Sequence, residues 1–269
     1  INGGNDDDSI NGGNGNDSIN GGYEDDPNNG GYGNDTINGG NGNDSINGGN
    51  GNDSINGGND DDSINGGNGD DTINGGDGND TINGGHGYDS INGGDGNDTI
   101  NGGKSYDSIN GGDGNDSISG GSGDDTINGG DGNDTIDGGQ GLDTATFNRR
   151  RDEYSINTNG VTEITLIRSE NGNEHKTTLR DIEELRFSDD SISASDLFSG
   201  PNAIVPTISE GKTESTHWIN ENAKDIHAFS AYVPASWSIV GGADANKFSI
   251  TTTGLLEFKS DPISKRHKT

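Results

Sequence analysis

The first half of this chain obeys a single period: a large apolar residue returns every nine positions, and a repeat held that strictly constrains everything between its copies. Ile stands at 1, 10, 19, 37, 46, 55, 64, 73, 82, 91, 100, 109, 118, 127 and 136, Asn28 replaces it once, Ala145 ends the series, and no insertion shifts the frame. A glycine pair follows in every unit, from Gly3-Gly4 to Gly138-Gly139. An aspartate closes each of the sixteen loops, at Asp8, Asp17, Asp26, Asp35, Asp44, Asp53, Asp62, Asp71, Asp80, Asp89, Asp98, Asp107, Asp116, Asp125, Asp134 and Asp143. One apolar residue in nine makes neither an amphipathic helix nor an ordinary alternating strand. The unit reads as a tight glycine turn followed by a very short strand with one β-branched side chain pointing inward.

A second rhythm lies over the first. From the ninth unit onward the third loop position reads Asp77, His86, Asp95, Lys104, Asp113, Ser122, Asp131, Gln140, and the fifth alternates Asn79, Asn97, Asn115, Asn133 with Tyr88, Tyr106, Asp124, Leu142. Alternate loops share a character, so two units make one turn and the loops stack along two edges. The expected fold is all-β: a parallel β-roll of eight turns over residues 1–144, roughly 38 Å long at about 4.8 Å per turn. Asp77 is expected to lie over Asp95 and Tyr88 near Tyr106.

Buried hydrocarbon cannot hold such a roll together. The chain is 23% hydrophobic, and residues 1–144 carry 28 Asp and one Glu against one Lys, a net charge of −28. Two isoleucines per turn return far less than the ordering entropy of eighteen residues, and a polyanion this poor in apolar side chains is ordinarily disordered. A hard cation reverses the balance. Calcium takes six to eight oxygen ligands, which the closing aspartates and the open backbone carbonyls of a glycine loop supply. Eight loops per edge leave seven gaps, which sets an upper limit of about fourteen calcium ions shared between stacked loops. Binding energy then becomes folding energy, with the transition at about 0.1–1 mM calcium, as for extracellular modules.

Units such as Gly12–Asn20 (GGNGNDSIN) and Gly75–Asn83 (GGDGNDTIN) resemble the repeats-in-toxin (RTX) nonapeptide GGxGxDxUx, in which U is a large apolar residue. The resemblance covers residues 1–144 and implies a calcium-binding parallel β-roll in a secreted bacterial protein exported by type I secretion. Departures are few. The third glycine is replaced at Asp6, Glu24, Asp60 and Ser105, and the third unit carries Pro27 and lacks its Ile. Local distortion is expected there.

Competing motifs fail on particular residues. An EF-hand needs a closing glutamate, and Glu24 is the only one in the array; a phosphate loop needs a helix directly after its Gly-Lys-Ser/Thr, and Gly103-Lys104-Ser105 runs on into the repeat instead. The acidity argues against nucleic acid. Sequons such as Asn16-Asp17-Ser18 are generated by the repeat itself. The five histidines, His86, His175, His217, His227 and His267, have neither metal nor triad spacing and read as surface or packing residues. Absence of cysteine excludes disulfides and thiolate sites, and no apolar run reaches the length of a membrane span. A chain that opens on Ile1 and holds no methionine reads as a fragment of a longer protein.

After Asp143 the glycines thin out. Tyr154 and Ile156, Ile164 and Leu166, then Leu179, Ile182, Leu185 and Phe187 suggest short strands over 145–199 that cap the last open turn, a region similar to those that follow RTX arrays. The run Arg149-Arg150-Arg151 is expected to complement the acidic roll. Beyond Gly200-Pro201, a linker leads to pieces between 207 and 262 that resemble a partial cadherin-like β-sandwich, its acidic calcium motif replaced by AYVPASW. The expected function is calcium-dependent folding of a non-catalytic segment of a secreted or cell-surface protein of adhesin or surface-layer type. Its partners would be calcium and cell-surface or extracellular matrix ligands. The alternatives are the export module of a secreted protease, lipase or epimerase, and an ice-binding solenoid with Asn ranks such as Asn41, Asn50, Asn59 and Asn68.

Overall fold

The computed structural model describes residues 1–159, 163–170, 172–199, 248–250 and 256–258. Residues 1–205 form one unit and 206–269 another. In the first, seventeen strands from Asn2–Gly4 to Thr144–Thr146 alternate between two sheets, each strand pairing in parallel with the one two units away. Ile82 thus sits between Ile64 and Ile100 in one sheet, and Ile91 between Ile73 and Ile109 in the other. The result is the parallel β-roll of about eight turns, with two ladders of isoleucines meeting inside. Asp77 pairs with Asp95. Tyr88 stacks on Tyr106, with ring centroids 5.6 Å apart and planes at 8°.

The strands are longer than the spacing of apolar residues suggests. Most run six residues, as in Thr72–Asp77, and contain the glycine pair. Glycine is there for room more than for turning. The first of each pair faces inward: a Cβ on Gly102 would stand 2.6 Å from both the Gly120 carbonyl oxygen and Asp107 Oδ2. The second stays in the ladder, Gly85 opposite Gly103, at the positive φ that side chains disfavour.

The turn is made by the third glycine, with φ from +104° at Gly15 to +149° at Gly141. Where this glycine is replaced the loop survives, because Glu24, Asp60 and Ser105 relax to φ of 76°, 78° and 82°, the edge of what an L-residue tolerates. That strain gives a prediction: Ser105→Gly raises the unfolding free energy in saturating calcium by about 1 kcal/mol, read as a higher urea midpoint. Asp6, in the first loop, does not take a positive φ.

The third unit keeps the frame. Asn28 occupies the isoleucine position between Ile10 and Ile46 and is 2% exposed, yet neither amide atom has a partner. Pro27 begins its strand, where it withholds the amide that Ser45 of the next turn gives to the Asp26 carbonyl. Asn28→Ile fills the gap in the ladder and removes two unsatisfied polar groups. Stability in calcium is expected to rise by about 2–4 kcal/mol, measured by denaturant titration.

The segment after the array extends both sheets. Thr178 and Leu179, in the Asn173–Arg180 strand, pair with Thr135 and Ile136, and two further antiparallel strands, Glu163–Glu170 and Ser155–Asn159, follow outward. Glu184–Arg186 pairs with Thr144–Thr146, so Leu185 follows Ala145. Leu179 and Leu185 therefore end the two isoleucine ladders, and Phe147, Tyr154 and Phe187, with centroids 5.1 to 5.5 Å apart, close the interior.

The arginine run does not complement the roll as expected. Arg149 pairs with Glu170, Arg150 with Asp152 and Asp189, and Arg151 lies over the Phe187 ring, all within residues 149–189. The cation that crosses to the array is Arg168, 7% exposed, whose guanidinium reaches Asp131 Oδ1 at 2.8 Å and also binds Glu170. In the second unit, Phe248–Ile250 pairs antiparallel with Leu256–Phe258; the rest of the cadherin-like reading, and the linker at Gly200-Pro201, lie outside the described residues. Among the described residues no helix is long and apolar enough to cross a membrane.

Candidate metal centres between the stacked loops

Two units per turn place the closing aspartates in two columns: Asp8, Asp26, Asp44, Asp62, Asp80, Asp98, Asp116 and Asp134 along one edge, and Asp17 through Asp143 along the other. Fourteen of them, Asp26 to Asp143, are buried to 3% exposure or less; Asp8 and Asp17, in the end turn, are only partly covered. From Asp26 to Asp143 the two oxygens of each carboxylate have different fates. Oδ1 accepts the backbone amide of the aspartate one turn earlier, as Asp80 N donates to Asp98 Oδ1 at 2.8 Å and Asp98 N to Asp116 Oδ1 at 2.9 Å. Oδ2 is buried without a hydrogen-bond partner in every loop from Asp17 to Asp143.

The fifth loop position works in the opposite direction. Asn97 Oδ1 accepts the amide of Asn115, and Asn115 that of Asn133, in the following turn. Neighbouring loops are therefore laced by bonds running both ways, which accounts for the preference for Asn and Asp there. Tyr88 and Tyr106 offer no comparable acceptor and stack their rings instead.

A buried carboxylate oxygen without a donor is costly, and the titration of these groups registers it. Burial pushes Asp62, Asp71 and Asp107 up to about 7, and Asp44, Asp80, Asp98, Asp116, Asp134 and Asp143 up to about 6; the amide each accepts opposes the rise, and neighbouring acids add to it. Each such oxygen calls for a proton or a cation. Around the inward glycine the orphan Oδ2 converges with the carbonyl of the next turn, as Asp107 Oδ2 and the Gly120 carbonyl do beside Gly102. The donors are all oxygen, which suits a hard cation and not a thiophilic or imidazole-seeking one. No three His, Cys, Asp or Glu side chains gather round one point among the described residues. The oxygens each loop offers are one carboxylate and its backbone carbonyls.

A model of the RTX calcium-binding nonapeptide repeat, built as four copies, matches residues 1–26, 29–64, 56–91, 74–109, 92–127 and 110–145, more than half of the chain. The chain belongs to the RTX calcium-binding repeat family. The gap in the matches falls on Pro27 and Asn28, where the third unit departs from the repeat in sequence while its strand keeps the length and register of the others. No curated protein matches the chain. Membership makes calcium the ion, and RTX repeat proteins are typically secreted. The oxygen donor set described above fits that ion.

Sequence reasoning picked out the aspartates but missed the roles of the fifth loop position, of Arg168 and of Glu183, which gives Asp143 N its acceptor at 2.7 Å. Of the histidines, His86 faces Lys104 at 3.1 Å on the surface and His175 lies opposite Arg168; His217, His227 and His267 lie outside the described residues. In the Asn ranks, Asn59 donates to Asn41 and Asn68 to Asn50, so their amides bind along the rank.

Proposed function

We propose that this RTX segment is a non-catalytic spacer that calcium folds outside the cell, in a large protein of the adhesin or surface-layer type. The closing aspartates from Asp8 to Asp143 would be the carboxylate ligands and the gaps between stacked loops the ion sites, up to about fourteen. The observation that carries this reading is the unpartnered Oδ2 in every loop from Asp17 to Asp143, a column of buried negative charge along each edge. Elsewhere the asparagines of the roll bond from one turn to the next, as Asn47 does to Asn29 and Asn65 to Asn47, which suits a rod.

Equilibrium dialysis with metal analysis tests the ion reading. Many calcium ions per chain, undiminished by a large excess of magnesium, are expected; magnesium demands near-octahedral geometry and gives up its waters reluctantly. Binding of two or fewer calcium ions would overturn it. The choice of adhesin over exoenzyme rests on the cadherin-like residues after 207, and reading the gene upstream of Ile1 tests it: a catalytic domain there would reverse the choice.

A further inference from the structure

The two edges of the array end differently. Along one, the Asp134 amide is taken by the Lys176 carbonyl, a neutral group. Along the other, the Asp143 amide goes to a carboxylate, Glu183 Oε2 at 2.7 Å, as the Asp125 amide goes to Asp143 Oδ1 at 2.8 Å. The likeness extends to the neighbours of Glu183. The Glu184 amide donates to the Asp143 carbonyl at 3.1 Å, the bond that Thr144 makes to Asp125 at 2.8 Å. Leu185 then takes the ladder place after Ala145. The Asp181 carbonyl oxygen faces the α-carbon of Gly138, where in the turn before the Gly138 carbonyl oxygen faces Gly120. Asp181 presents it from a φ of +47°, in the left-handed region that Asp enters more readily than most side chains. The short segment from Asp181 to Leu185 therefore reproduces a repeat loop in outline, without repeat sequence.

The Asp143 carboxylate facing this segment is fully buried, and its Oδ2 has no partner. We infer that Asp143, Glu183 and the Asp181 carbonyl form one further divalent-cation site, of the hard calcium class, which ties the segment after the array to its last turn. The inference rests on the calcium reading of the array loops. It differs in consequence: this ion controls docking of residues 181–187 and not folding of the array.

The test uses the full chain, with calcium alone as the probe. Glu183→Gln keeps an oxygen for the Asp143 amide and removes the charge; Glu174→Gln, at an exposed acid of the same region, is the control. Amide hydrogen exchange is followed at residues 144–146 and 184–186 against calcium, with bound ions counted in parallel. In Glu183→Gln the array is expected to fold at the wild-type calcium concentration. Protection of 184–186 should need about tenfold more calcium, and one ion fewer should bind. Unchanged ion count and protection in Glu183→Gln, or the same change in Glu174→Gln, would overturn the terminal site while leaving the array reading intact. Wild type binding no calcium would overturn both.

Discussion

Replacing Asp98 and Asp116 together by Ala is expected to remove about three bound calcium ions and about 3–6 kcal/mol of stability in saturating calcium. The two are neighbours in one column, so three successive gaps, from Asp80 to Asp134, lose a carboxylate. The amides of Asp80 and Asp98 lose their Oδ1 acceptors as well, at about 1–3 kcal/mol for each buried donor left unpaired. The calcium midpoint should move less, by roughly twofold, because the cost is spread over many ions that bind as the chain folds. Asp95→Asn with Asp113→Asn is the matched control: both are exposed, sit opposite each other at the third loop position and carry the same charge. That pair should lose no ion and change stability by no more than about 0.5 kcal/mol. Equal losses from both pairs would mean that net charge, not the buried column, governs binding.

Acidification of the calcium-free protein should restore much of the structure that chelation removes. Nine of the closing aspartates, Asp62, Asp71 and Asp107 at about 7 and Asp44, Asp80, Asp98, Asp116, Asp134 and Asp143 at about 6, titrate well above the roughly 3.9 of an unfolded chain, with burial the main cause. Groups whose folded value is raised bind more protons folded than unfolded, so they favour the fold fully below about pH 4 and lose that contribution as pH rises through 6 to 7. A proton on Oδ2 does part of what the cation does: it neutralises the column and turns a bare acceptor into a donor. Chelated protein is therefore expected to gain β-structure between pH 7.5 and 5, while the further change on adding calcium shrinks. Far-ultraviolet circular dichroism across that range checks it, and a flat signal down to pH 4.5 would contradict the prediction.

Most of the architecture could be read from periodicity, because a solenoid translates a sequence interval directly into a spatial one. The 9- and 18-residue intervals specified two sheets, parallel pairing and the stacking of Tyr88 on Tyr106, and the structure has all three. Strand length was misjudged because glycine ordinarily signals a turn, whereas here the pair continues the ladder. The sixteen aspartates were visible as invariant loop ends, but nothing in a sequence divides a carboxylate into one oxygen bound and one bare. Arg168 did leave a trace: Ile164, Leu166 and Arg168 alternate along one strand, and a charge on the buried face of a strand calls for a partner. Glu183 left none, since its place in the aspartate column depends on where the segment after the array folds back.

The ion's part in folding is tested most directly by measuring size and β-content together, by light scattering and circular dichroism, at pH 7.5 in excess chelator and then in millimolar calcium. An expanded chain with little β-signal in chelator, collapsing to a compact β-rich form as calcium is added, is the predicted result. A compact, β-rich array in chelator would show that the isoleucine ladders and inter-turn hydrogen bonds suffice without metal.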